Sequence, residues 1–139
     1  MKIYFAGSIR GGRYDKGEYL IIISYLKKFG KVYTEHVGNN KLSIIGEINN
    51  SEEDIYNRDI FWLKSSDIFV AEVTTPSHGV GYEIAIAERL KLPILCLHRI
   101  QTKNKLSAMI SGNNNFHCIK YRTMDDVEKI ISDFIRGIS

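Results

Sequence analysis

The sequence predicts an α/β fold, an open three-layer sandwich in which a five-stranded, mostly parallel sheet is covered by helices on both faces. Three observations carry that expectation. The short apolar stretches are continuous instead of alternating, as in strands buried on both faces. Other segments repeat apolar residues at helical spacing. The two kinds of segment then alternate along the chain, which is the order of a βαβαβ sheet with crossover helices.

Taken in order, Lys2 to Ala6 is the first strand, and Tyr19 to Phe29 is a helix carrying Leu20, Ile23 and Leu26, closed by Gly30. Lys31 to Thr34 (KVYT) is a second, weaker strand. Glu52 to Lys64 is a helix with Ile55, Ile60 and Leu63; Ser51 precedes it and Glu52, Glu53 and Asp54 load its first turn with acid, as the helix dipole favours. Ile68 to Val73 is the third strand, Tyr82 to Leu90 a helix and Pro93 to Leu97 the fourth strand. Phe116 to Tyr121 is the fifth strand, followed by a helix over Met124 to Ile135 with Val127, Ile130, Ile131 and Phe134. This is the Rossmann-like, flavodoxin-like order, built as one domain over residues 1–139, in which ligands bind beyond the carboxyl ends of the strands.

Composition narrows the class. With 44% hydrophobic and 25% charged residues, two prolines and no repeat, the chain reads as globular. A net charge of +3, with lysines and arginines scattered along the chain, favours a small anionic ligand over a nucleic-acid polymer. No apolar run approaches the ~18 residues of a membrane span, and MKIYFAGS is too short for a signal peptide, so a cytoplasmic protein is expected, with entry to a nucleus left open. Cys96 and Cys118 lie far apart in the sequence within apolar runs, the pattern of buried reduced thiols; neither a disulfide nor zinc is expected.

The segments after the strands hold the unusual residues. In GSIRGGR, Gly7, Ser8, Ile9, Arg10, Gly11 and Gly12 with Arg13 offer backbone N–H groups, a hydroxyl and guanidiniums, a cradle suited to phosphate. The alternative is a surface turn with solvated arginines. The loop has neither Gly-Lys-Ser/Thr nor G-x-G-x-x-G, which argues against a nucleoside triphosphate or a dinucleotide. In TPSHGVG, Ser77 and Gly79 repeat the device, and Ser77 could equally be a helix cap. Glu83 follows near a helix start, where the dipole favours its ionised form and apolar neighbours favour the neutral one, so the direction of its pKa shift stays open. Asp59, among Ile60, Trp62 and Leu63, is a second acid; its plain reading is a partner of Arg58 on a solvated face. Two carboxyls beside a phosphate cradle are what glycosyl chemistry requires. Tyr4 adds a phenol at the rim of the first strand or simply fills the core, and His36 in TEHV either titrates near neutrality or hydrogen-bonds at a strand end.

Together YFAGSIRGGR, KKFGKVYTEHV, RDIFWLKSSDIFVAEVTTPSHGVGYEIAIA, ILCLHR and LSAMISG resemble the 2'-deoxynucleoside 5'-phosphate N-hydrolases of the nucleoside 2-deoxyribosyltransferase superfamily, over Ile3 to about Gly112. The resemblance implies cleavage of a deoxynucleoside monophosphate by water to free base and 2-deoxyribose 5-phosphate, without metal or cofactor. It implies Glu83 as nucleophile, Asp59 as second acid and Tyr4 as catalytic phenol. It places phosphate at Ser8, Arg10, the Gly11 region and Ser77, and makes Ser107 of LSAMI a residue contributed to the neighbouring subunit's site, hence a homodimer. A deoxyribosyltransferase, a ribonucleotide (CMP-like) N-glycosidase and a non-catalytic nucleotide sensor are the competing readings. His78 and Phe61 depart from the relatives' pattern and leave the preferred base open.

Overall fold

The computed structural model describes residues 1–9, 12–35 and 51–138, without the side chains of residues 12–16; Arg10, Gly11, His36 and the side chain of Arg13 lie outside the described part. Five parallel strands form one sheet: β1 (Lys2–Ala6), β2 (Lys31–Tyr33), β3 (Ile68–Glu72), β4 (Ile94–Arg99) and β5 (His117–Tyr121), in the order β2-β1-β3-β4-β5. Helices α1 (Gly12–Leu26), α2 (Glu52–Ser65), α3 (His78–Arg89), α4 (Ala108–Ser111) and α5 (Met124–Ile138) complete the described elements. The sheet is parallel throughout, and its order is that of flavodoxin-like doubly wound folds.

Side chains alternate across the strands and feed two cores. Ile3, Phe5, Ile68, Val70, Leu95 and Leu97 pack under α1 and α5 with Ile22, Leu26, Val127 and Ile131. Tyr4, Ala6, Phe69, Ala71 and Cys96 face the other way, against Leu63 of α2 and Val80, Ile84 and Ala87 of α3. Tyr4 stacks on Phe69 with ring centroids 5.6 Å apart, which fixes the phenol ring at the sheet surface. Cys96 and Cys118, distant in sequence, are register partners on β4 and β5 and both are free thiols; Cys118 is only half-buried.

Several boundaries differ from the sequence reading. Helix α1 begins at Gly12 instead of Tyr19; Tyr19 and Ile22 take the core positions and Leu20 is exposed. Its last assigned residue is Leu26, and a turn with Phe29 N–H donating to Leu26 O (2.9 Å) follows. Gly30 is required by a close approach: a Cβ there would stand 2.1 Å from the Met1 carbonyl oxygen. Helix α2 begins as expected, with Ser51 and Asp54 forming a reciprocal capping box. Helix α3 begins at His78, four residues before the expected Tyr82, capped by Ser77. The short α4 has too little apolar repetition to be read from sequence.

Candidate active site

The strand order reverses between β1 and β3, and the crevice outside their carboxyl ends is where a doubly wound sheet binds its ligand. A cavity of about 470 Å³ opens there, within the size range of small-molecule sites. Its walls come from the end of β1 and the loop after it (Tyr4, Gly7, Ser8, Ile9), the end of β2 (Glu35), α2 (Tyr56, Asp59) and the first turns of α3 (Ser77, Gly79, Tyr82, Glu83).

Glu83 is the sixth residue of α3, past the first turn in which the helix dipole acts. That answers the question left open by sequence. Burial dominates and pushes its carboxyl up to about 7, the nearby Asp59 adding to the rise, while a hydrogen bond from the Tyr4 hydroxyl opposes it. Tyr4 is 1% exposed, and burial followed by the negative field of Glu83 holds its phenol protonated far above the ordinary range. The phenol is therefore a fixed donor to Glu83. Both readings of this tyrosine hold together, since the ring is core and the hydroxyl reaches the pocket.

Asp59 is buried on α2, and the plain reading of it is half right. It does pair with Arg58, Nη2 to Oδ1 at 3.1 Å and Nε donating to Oδ1 at 3.2 Å, but on a buried wall and not a solvated face. Glu35, absent from the sequence-based candidates, completes the group. It is hydrogen-bonded to Asp59, lies 3.5 Å from Arg58 Nη2, and is pushed up to about 9 by burial first and then by Asp59 and Glu83, with Arg58 acting in the opposite direction. The signal that could have found it was the strand-end rule that drew attention to its neighbour His36.

The residues that the sequence suggested for phosphate are arranged less simply than a glycine cradle. Gly7 is needed because a Cβ would meet the Tyr19 ring at 2.9 Å, and the Tyr19 hydroxyl in turn accepts the Ser8 N–H at 3.1 Å. The buried Ser8 is thus held at the pocket wall by α1. Ser77 caps α3, its Oγ accepting the Val80 N–H at 3.3 Å, which leaves the hydroxyl proton available to an anion at the helix N-terminus. Gly79 leaves room beside Ser77 Oγ and Glu83 Oε1, at 3.8 and 4.0 Å from a would-be Cβ, both ordinary contacts; at Gly81 a Cβ would meet nothing.

Of the sequence-derived candidates, Tyr4, Gly7, Ser8, Ile9, Asp59, Ser77, Gly79 and Glu83 line this one cavity. Ser107 does not. It caps the exposed α4, accepting the Met109 N–H at 3.2 Å, and lies outside the lining of its own chain's pocket. Arg10, Gly11 and His36 lie outside the described residues. Among the described helices none is long and apolar enough to cross a membrane.

With this geometry in hand, comparison with known proteins is specific. The family model described as nucleoside 2-deoxyribosyltransferase matches residues 3–122. A protein of Tetraodon nigroviridis named 5-hydroxymethyl-dUMP N-hydrolase is 44% identical over 137 residues, covering 96% of each chain. One of Danio rerio with the same name is 44% identical over 142 residues, covering 100% of this chain and 99% of the relative. Among solved structures, a 2-deoxyribosyltransferase from Bacillus psychrosaccharolyticus superposes with a TM-score of 0.68 at 16% identity, covering 92% of this chain and 90% of that one, which shows a shared fold.

Proposed function

The chain belongs to the nucleoside 2-deoxyribosyltransferase family, and from that premise we propose that it hydrolyses the N-glycosidic bond of a 2'-deoxynucleoside 5'-monophosphate to free base and 2-deoxyribose 5-phosphate. The observation that carries this reading is the convergence of Tyr4, Asp59 and Glu83 on one cavity that is also lined by Ser8 and Ser77. A carboxylate, a second acid and an anion-binding edge are what a phosphorylated glycosyl substrate needs.

In this mechanism the Glu83 carboxylate attacks C1' as the bond from C1' to the base nitrogen breaks, and the electron pair leaves with the base. Asp59 manages the proton that the departing base takes up. Water then attacks C1' of the glycosyl ester, the Asp59 carboxylate takes one of its protons and passes it to the departed base, and Glu83 returns as carboxylate with net retention. The Tyr4 hydrogen bond aims Glu83 and offsets part of its burial, so the nucleophile ionises near neutrality. Base release should therefore rise with pH through about 7. Phosphate held by Ser8 and Ser77 turns remote binding into orientation of C1', and the family resemblance adds Arg10 and Gly11 as phosphate contacts. Tyr56 and Tyr82, ring centroids 6.5 Å apart, offer aromatic faces to the base at the mouth of the pocket.

The names of the relatives make 5-hydroxymethyl-dUMP the first substrate to assay. Base release from it, and none from the matching nucleoside, is expected; equal rates on both would sink the phosphate assignment. Diversion of product to a new nucleotide by added free base would favour a transferase instead.

We also propose a homodimer in which Ser107 serves the partner's site. Phe61, Tyr82 and Met109 are large apolar side chains left exposed on α2, α3 and α4, and Leu106 and Ile110, which flank Ser107, pack against the same core cluster as α2 and α3. Mixing inactive E83Q with weakened S107A should restore activity, because one site of the mixed dimer is then complete; no gain on mixing would exclude sharing.

A further inference from the structure

We infer that Arg58 is a positioning residue for this site, clamping Asp59 and Glu35 together as one carboxyl pair on the pocket wall. Its kinetic consequences rest on the hydrolase reading above; the clamp itself does not.

The clamp is built from several directions. Arg58 Nη2 stands 3.1 Å from Asp59 Oδ1 and 3.5 Å from Glu35 Oε1. Neighbouring residues on a helix point ~100° apart, so the Arg58 side chain must curl back along α2 to reach Asp59. It is braced in that shape: the guanidinium lies 4.6 Å from the centroid of the Trp62 ring, and Trp62 stacks on Tyr33 of β2 at 5.7 Å. A solvated ion pair would have no need of that support. Tyr33 lies two residues before Glu35, so the same stack ties the end of β2 to α2.

Charge counting gives the clamp its chemistry. Glu35 is faced by Tyr4 from β1, Arg58 and Asp59 from α2 and Glu83 from α3. Among the described residues one cation, Arg58, faces these three buried carboxylates and cannot neutralise them all, so a proton is retained, and the hydrogen bond between Glu35 and Asp59 is its place. Glu35 then donates and Asp59 accepts, which fixes the orientation of the Asp59 carboxylate toward the leaving base. Deprotonation of Glu35 in the alkaline range would set two anions against each other and release that orientation.

The test combines carbon-13 NMR titration of the side-chain carboxyls with kcat and KM against pH for the wild type, R58M, R58K, E35A and E35Q. Glu35 should titrate well above the usual carboxylate range in the wild type and higher still in R58M, since a cation that favours the ionised form has gone. At pH 7, R58M should lose about tenfold or more in kcat with KM within about twofold, and R58K should keep the titration but recover only part of kcat. E35Q, still able to donate to Asp59, should recover most of what E35A loses and should lack the alkaline fall. A Glu35 midpoint in the ordinary range, or one unmoved by R58M, overturns the clamp; so does an R58M enzyme with wild-type kinetics, or an E35Q profile identical to the wild type. A wild type that releases no base sinks the hydrolase reading, while the titration still decides the clamp.

Discussion

On the face of the sheet covered by α1 and α5, Glu72 at the end of β3 is 0% exposed and fully engaged. It accepts the Thr74 N–H at 2.5 Å, the Thr74 hydroxyl at 3.0 Å and the Tyr121 hydroxyl at 2.5 Å. The Arg99 N–H donates to Thr74 Oγ1 at 2.9 Å, and the Arg99 guanidinium pairs with Glu18 of α1. On the opposite face, at the same carboxyl edge, Glu35, Asp59 and Glu83 crowd, among the described residues, around one guanidinium and one phenol beside an open cavity. Donors surround the acid in the first cluster, and acids outnumber donors in the second. Burial alone therefore does not mark an active carboxylate. The mark is burial that the fold leaves partly uncompensated, where a ligand or a reaction can complete it.

The largest effect that can break this contrast is Glu83→Gln. It should lower base release by at least about 10³-fold, roughly 4 kcal/mol of barrier, because the proposed nucleophile is gone while the pocket shape stays. Its stability should move the other way. A carboxyl whose folded pKa is raised to about 7 binds its proton more tightly in the fold than in the unfolded chain, so its contribution is present at acid pH and is lost as pH rises through about 7. E83Q should match the wild type in thermal stability near pH 4 and exceed it at pH 8. Equal melting temperatures at both pH values would show that Glu83 carries no such tension.

Glu72→Ala should behave in the reverse sense. It strips the shared acceptor from Thr74 and Tyr121 and opens a hole in a closed network, which should cost about 3–5 kcal/mol in urea unfolding. The acids of the cavity lie on the other face and keep their partners, so E72A is a stability variant where E83Q is an activity variant. A loss below about 1 kcal/mol would remove the distinction between the two clusters.

How much of this the sequence could reveal depended on the range of each signal. The strands were legible because a parallel strand buried on both faces leaves a continuous apolar run, and α2 because Ser51 and Asp54 advertise its start. The start of α3 was misplaced because Gly79 and Gly81 read as loop, yet the Ser77 cap and the buried Val80 set it at His78. That error carried into Glu83, whose supposed dipole stabilisation depended on standing in the first turn. Tyr4, Asp59 and Glu83 could be gathered by the strand-end rule and a family likeness. The same rule pointed to the neighbourhood of Glu35 but not to its role, which comes from a contact between the end of β2 and α2 that no local pattern encodes. The same holds for Gly7, which the sequence suggested for phosphate and which the fold requires for the ring of Tyr19.

The smallest effect is also the finest test of the contrast. Tyr121→Phe removes one hydroxyl and no volume of note from a residue 1% exposed, leaving Glu72 with the two donors of Thr74. If Glu72 is held by redundant donors, the loss should be about 1.5–3 kcal/mol, the scale of one hydrogen bond to a charged group, and below that of E72A. The double variant, Glu72→Ala with Tyr121→Phe, should then cost less than the sum of the two, because the hydroxyl has already lost its Glu72 acceptor and retains the longer contact to Glu18 Oε2 at 3.5 Å. Urea unfolding of all four proteins closes the cycle. Strict additivity would mean that Tyr121 and Glu72 do not act on each other, and the satisfied cluster would dissolve into separate contacts.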